Sequence, residues 1–114
     1  MRPALYCSGP ITDTPNFRQA FDEASEELRA LGWRVYNPAA FEDLLGDDRE
    51  YSECLRLDLF VVMMVQALWM LPGWSRSRGA RVEHDVAKVL NLDVYYAGQD
   101  EMPAAPVMVG MVPA

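Results

Sequence analysis

Two acidic side chains sit inside otherwise apolar runs. Asp58 lies in Leu57-Asp58-Leu59-Phe60, and Glu83 follows Ala80-Arg81-Val82 at the start of a helix-like run. A carboxylate held in a crevice can attack a sugar carbon as a nucleophile. In the first turn of a helix it also complements the macrodipole, which is worth about 0.3–1 kcal/mol and needs no chemistry. Asp58 has the same two readings, an exposed helix edge or a group aimed into a crevice. Just before Glu83 runs Pro72-Gly73-Trp74-Ser75-Arg76-Ser77-Arg78-Gly79, with Arg81 following. Serine hydroxyls, guanidinium groups and the N–H groups of a helix start are what an anion such as a phosphate needs. Gly79 would let the backbone come close to such a ligand. The plain counterpart is a solvated basic loop that caps a helix. Trp74, on this loop, can stack on a base or close a site, whereas Trp33 and Trp69 read as strand core. Tyr6 is either core, with its hydroxyl satisfied, or a group facing the crevice. His84, a lone histidine on a helix, reads as structural.

The elements that must position these groups alternate. Pro3 to Ser8 is a short apolar run stopped by Gly9-Pro10, a strand buried on both faces. Thr14-Pro15 reads as a helix start, with Thr14 as the cap. Phe17, Phe21, Ala24, Leu28 and Leu31 then recur on one helical face, and Gly32 ends the run. Trp33 to Asn37 reads as a second strand closed by Pro38. Pro38 to Arg49 reads as a short helix and a loop, and Tyr51 to about Val65 as a longer helix. Within the latter, Val61-Val62-Met63-Met64 also fits a strand. Ala67 to Leu71 is the third strand, about Gly79 to Asn91 the last helix, and Asp93 to Ala97 the fourth strand.

This alternation implies an α/β domain over residues 1–98, with a parallel sheet and helices on both faces. Right-handed crossovers favour a flavodoxin-like (Rossmann-like) sheet of strand order 2-1-3-4. Its switch point lies between strands 1 and 3, where ligands bind beyond the carboxyl ends. The loops that meet there are Gly9-Pro10-Ile11 and Pro72 to Gly79. Residues 99–114, apolar and rich in proline and methionine, read as a tail packed on the domain or on a neighbouring subunit.

Composition limits the partners. The 114 residues include ten basic and 17 acidic side chains, a net charge of −7. Such a chain is a poor binder of polymeric nucleic acid, whose phosphates call for a basic surface. The longest apolar run, Leu59 to Leu71, is too short to cross a membrane and is interrupted by Gln66. Two cysteines and one histidine leave no cysteine-based zinc site or histidine cluster. G-x-G-x-x-G and G-x-x-x-x-G-K are both absent, which excludes a dinucleotide fingerprint and a P-loop. The expectation is a cytoplasmic protein with reduced cysteines and no metal or cofactor.

Three stretches together carry a resemblance: Tyr6-Cys7-Ser8-Gly9-Pro10-Ile11, Gly32-Trp33-Arg34-Val35-Tyr36-Asn37-Pro38, and Leu71-Pro72-Gly73-Trp74 through Glu83. Over about residues 3–97 the chain resembles the nucleoside 2-deoxyribosyltransferase superfamily. It is most similar to a small branch common in phages and bacteria, related to the 2′-deoxynucleoside 5′-monophosphate N-glycosidases. The resemblance implies a flavodoxin-like fold and cleavage of the bond between a base and a deoxyribose. By motif, Glu83 resembles the nucleophile, Tyr6 the aromatic that places it, and Asp58 an acid at the end of the helix before strand 3. Ser77 and Gly79 resemble the small residues that hold the sugar phosphate, with Ser75, Arg78 and Trp74 beside them. Gly9, Pro10 and Ile11 resemble the loop that lines the sugar. Gln66 stands where family members carry an aspartate that serves the base, and a glutamine can hydrogen-bond but cannot act as a general acid near neutral pH. The family also implies a homodimer or larger assembly. The rival reading is a non-catalytic module on the same fold that senses a nucleotide.

Overall fold

Along β1 (Ala4–Ser8) every side chain is buried, because the strand is central and covered on both faces. The structure is a computed structural model; it describes residues 2–46 and 50–107, with residues 41–44 as backbone alone. The loop expected to end at Arg49 and the end of the expected tail lie outside the described residues.

The sheet has four parallel strands in the order β2-β1-β3-β4, with β2 at Arg34–Tyr36, β3 at Ala67–Met70 and β4 at Asp93–Tyr96. This is the flavodoxin-like α/β arrangement expected from the alternation. Strand alternation sorts the side chains into two cores. Leu5 and Cys7 of β1 meet Ala67 and Trp69 of β3 under α1 (Phe17–Ala30), which contributes Phe21 and Leu28. Tyr6, Leu68 and Met70 face the other way, under Val61 and Val62 of α3 (Tyr51–Val62) and Ala87 of α4 (Arg78–Val89). The thiol of Cys7 is pushed up to about 12, chiefly by burial. It stays protonated and chemically quiet.

The first face carries one long helix, and the chain after β4 covers what α1 leaves open. Met102 and Ala105 pack on the α1-side core. Trp33, 2% exposed, donates its indole N–H to the Pro103 carbonyl at 2.7 Å, and Ala105 N–H donates to the Leu31 carbonyl at 2.9 Å.

Helix ends explain several boundaries. At the end of α1, Gly32 N–H bonds the Arg29 carbonyl and Trp33 N–H bonds the Leu28 carbonyl, with Gly32 at φ +100°. That is a Schellman motif, which glycine enters without a Cβ penalty. The start of α1 differs from the Thr14 cap. Thr14 N–H closes a turn onto the Ile11 carbonyl, and Asn16, at φ +62°, carries the chain into the helix two residues later. Asn37 caps α2 (Pro38–Leu45) through its side chain, which accepts from Ala39 N–H at 2.9 Å. α3 ends at Val62 rather than Val65, and Met63 and Met64 form an exposed turn rather than a strand.

Candidate active site

On α4 the buried positions are Ala80, Glu83 and Ala87, three and four residues apart. A carboxylate therefore occupies the core stripe of this helix, where the pattern calls for an apolar side chain. Glu83 is 5% exposed. A group this buried persists only when its polar atoms are satisfied.

They are satisfied from the central strand. Tyr6 and Ser8 lie two residues apart on β1 and so face the same side. The Tyr6 hydroxyl donates to Glu83 Oε2 at 2.9 Å, and the Ser8 hydroxyl donates to Oε1 at 2.6 Å. A third bond comes from Asp58 on α3, the neighbouring helix. Burial raises the Glu83 carboxyl above its usual range, and the bonds from Ser8, Tyr6 and Asp58 oppose that rise. Burial, followed by the Glu83 charge, keeps the Tyr6 phenol protonated and a donor. Two carboxyl groups in hydrogen-bond contact cannot both ionise cheaply, which favours a proton held on the pair. The arrangement is an ionisable carboxylate aimed by two hydroxyls, with a proton one bond away.

A cleft of about 650 Å³ opens nearby at the carboxyl ends of β1 and β3. One wall is the β1–α1 loop, with Pro10, Thr12, Asp13 and Thr14. The other is the β3–α4 loop, with Pro72, Gly73, Arg76, Ser77, Arg78 and Gly79, and Tyr51 of α3 completes the lining. Glu83 lies one helical turn beyond Gly79. Ser77 caps α4, its hydroxyl accepting from Ala80 N–H at 3.3 Å, so the N–H groups of Arg78 and Gly79 stand at the open end of the helix. A Cβ on Gly79 would come within 3.0 Å of the Tyr51 hydroxyl, which ties this wall to α3.

The structure thus brings Glu83, Asp58 and Tyr6 into one hydrogen-bonded group, and puts Pro10, Ser77, Arg78 and Gly79 around the cleft. Other sequence candidates fall elsewhere. Gln66 precedes β3 and so lies at the amino end of the sheet, opposite the cleft. Its Oε1 accepts from Ala4 N–H at 2.7 Å, and its role is to pin β1 to β3. That corrects its assignment to the base. Trp74 stacks on His84, with ring centroids 4.4 Å apart, and lies 5.8 Å from the Tyr96 ring. His84 Nε2 meets the Tyr96 hydroxyl at 2.7 Å, so this aromatic group braces the loop from outside the cleft. Ile11 packs on the α1-side core. Gly9 is buried, where a Cβ would meet that of Leu71 at 2.8 Å; it serves the close approach of β1 and the chain after β3. Ser75 is exposed on the short 3-10 turn Trp74–Arg76 and does not line this cleft.

The sequence reading missed Ser8, Thr12, Asp13, Thr14 and Tyr51. Ser8 carried a signal, since it is two residues from Tyr6 on the same strand. Among the described residues no group of three or more metal-binding side chains gathers, and no helix is long and apolar enough to cross a membrane. A family model described as a domain of unknown function (DUF4406) matches residues 3–96, from β1 to the end of β4. No curated protein matches the chain.

Proposed function

We propose that this chain, which belongs to the DUF4406 family, cleaves the N-glycosidic bond of a 2′-deoxynucleoside 5′-monophosphate through a covalent deoxyribosyl-glutamate. The observation that carries the reading is the buried Glu83 carboxylate, held by the hydroxyls of Tyr6 and Ser8 and hydrogen-bonded to Asp58, one helical turn beyond the Gly79 edge of a cleft lined by an arginine-serine loop. The sequence resemblance to nucleoside 2-deoxyribosyltransferases points the same way.

In the first step a Glu83 oxygen attacks C1′. The C1′–N bond breaks, its electron pair leaves on the base nitrogen, and the proton held on the carboxyl pair goes to the base. The product is an ester between Glu83 and C1′. In the second step water or another base attacks C1′ on the same face the first base left. The ester C1′–O bond breaks, its electrons return to Glu83, and the incoming group's proton goes back to the carboxyl pair. Deoxyribose suits this route because, without a 2′-hydroxyl, its oxocarbenium-like transition state is reached more easily. Two guanidinium groups, the Ser77 hydroxyl and a helix start favour a 5′-phosphate over a 5′-hydroxyl.

Calorimetry of a deoxynucleoside and its monophosphate tests the phosphate preference. The monophosphate is expected to bind at least ~10-fold tighter, since one hydrogen bond to a charged group is worth about 1.5–3 kcal/mol. Equal or weaker binding overturns the preference. Release of free base, with and without a second base present, tests the chemistry. Binding without release would leave a nucleotide-sensing module.

A homodimer or larger assembly belongs to the same proposal. Phe60, Met63 and Met64 at the end of α3, and Val89 and Leu90 at the end of α4, are all exposed. Apolar exposure on neighbouring helix ends marks an interaction surface. Light scattering at micromolar concentration is expected to report more than one chain; a 12.9 kDa particle overturns it.

A further inference from the structure

The cleft carries opposite charges on opposite walls, all three exposed and none paired with another. Arg76 and Arg78 stand on the β3–α4 wall and Asp13 on the β1–α1 wall. Among the described residues none of these three is in an ion pair or a side-chain hydrogen bond. A free carboxylate and two free guanidinium groups around one cavity, not collapsed onto each other, suit a ligand long enough to lie between them. Such a ligand has an anionic end for the arginines and a hydrogen-bond donor for the aspartate. The backbone of Asp13 is left-handed, with φ +56°. Asn and Asp tolerate that conformation better than other side chains, so it explains a short polar residue there but not its charge or its place on the cleft.

We propose that Asp13 is a specificity-determining residue that accepts a hydrogen bond from a neutral O–H or N–H donor of the ligand, at the end remote from the anion. This rests on the nucleotide reading above. Two donors of a deoxynucleotide fit the chemistry, the sugar 3′-hydroxyl and an exocyclic amine of the base. Phosphate is excluded from this wall because the carboxylate repels it.

Binding constants separate the sources. The probes are 2′-deoxyadenosine 5′-monophosphate, its 2′,3′-dideoxy analogue and 2′-deoxyinosine 5′-monophosphate, titrated calorimetrically into the wild type, Asp13→Gly and Asp13→Asn. Glycine accepts the left-handed backbone without strain, and asparagine keeps the shape and loses the charge. In the wild type one analogue is expected to bind about tenfold more weakly than the parent, as loss of a hydrogen bond to a charged acceptor implies. In Asp13→Gly that ratio should fall to near one, with Asp13→Asn between. Collapse of the dideoxy ratio assigns Asp13 to the 3′-hydroxyl, and collapse of the inosine ratio assigns it to the amine. If the parent binds and both ratios survive in Asp13→Gly, Asp13 is only a turn residue and the inference is overturned alone. If the parent does not bind the wild type, the inference falls together with the nucleotide reading.

Discussion

Glu83→Gln is expected to lose at least ~10³-fold in turnover while keeping the fold and nucleotide binding. A glutamine fills the same space between Tyr6, Ser8 and Asp58, but its amide cannot form the sugar ester. The same substitution should make the protein more stable at neutral pH. Burial raises the Glu83 carboxyl in the folded chain above its value in the unfolded one. Between those two values the folded state binds more protons than the unfolded state, so Glu83 favours folding at low pH and opposes it as pH rises through the folded value. Denaturant unfolding of both proteins from pH 5 to 8 checks the sign: the advantage of Glu83→Gln should grow as pH rises. Retained turnover would end the covalent mechanism. A pH-independent difference would show that the carboxylate is not held against its own ionisation.

Trp33→Ala is expected to cost about 3–5 kcal/mol of stability, the range for emptying a buried aromatic site. The indole fills the α1-side core and donates to the Pro103 carbonyl. Its loss leaves a cavity and frees that carbonyl together. Trp33→Phe separates the two, because it restores most of the packing and not the donor; its cost should be about 1–3 kcal/mol. Urea midpoints at constant m-value measure both. Limited proteolysis within residues 99–107 should quicken in step with the loss of the indole N–H. A Trp33→Ala protein within about 1 kcal/mol of wild type would mean that the chain after β4 is not part of the core.

Much of this architecture was legible because it rests on local periodicity. The apolar steps from Phe17 to Leu31 and the glycine after them set α1 and its end. The alternation of elements set the sheet order and, through the switch point, the place of the cleft. Glu83 was legible twice, from the loop before it and from its motif. What failed depends on three-dimensional closure. The left-handed Asn16 delays α1 past the Thr14-Pro15 signal. Ser8 becomes part of the site only once α4 lies on the Tyr6 side of the sheet. Asp13 reaches the cleft through a turn no period announces. The motif puts Gln66 beside the base, but a residue that precedes a parallel strand lies at the strand's amino end, across the molecule from the carboxyl-end loops.

The segment that covers the α1 side also fixes a sequence of events during synthesis. Trp33 emerges early, but its hydrogen-bond partner Pro103 lies 70 residues further along the chain. At 5–20 residues per second, roughly 4–14 s separate the two on the ribosome. Strands β1 and β2 and helix α1 can be made well before then, yet the part of this face that α1 leaves open, with the indole in it, still lacks the segment that closes over it. For those seconds the nascent chain displays aromatic surface that the finished molecule hides, which is the surface holdase chaperones bind and the surface through which nascent chains aggregate.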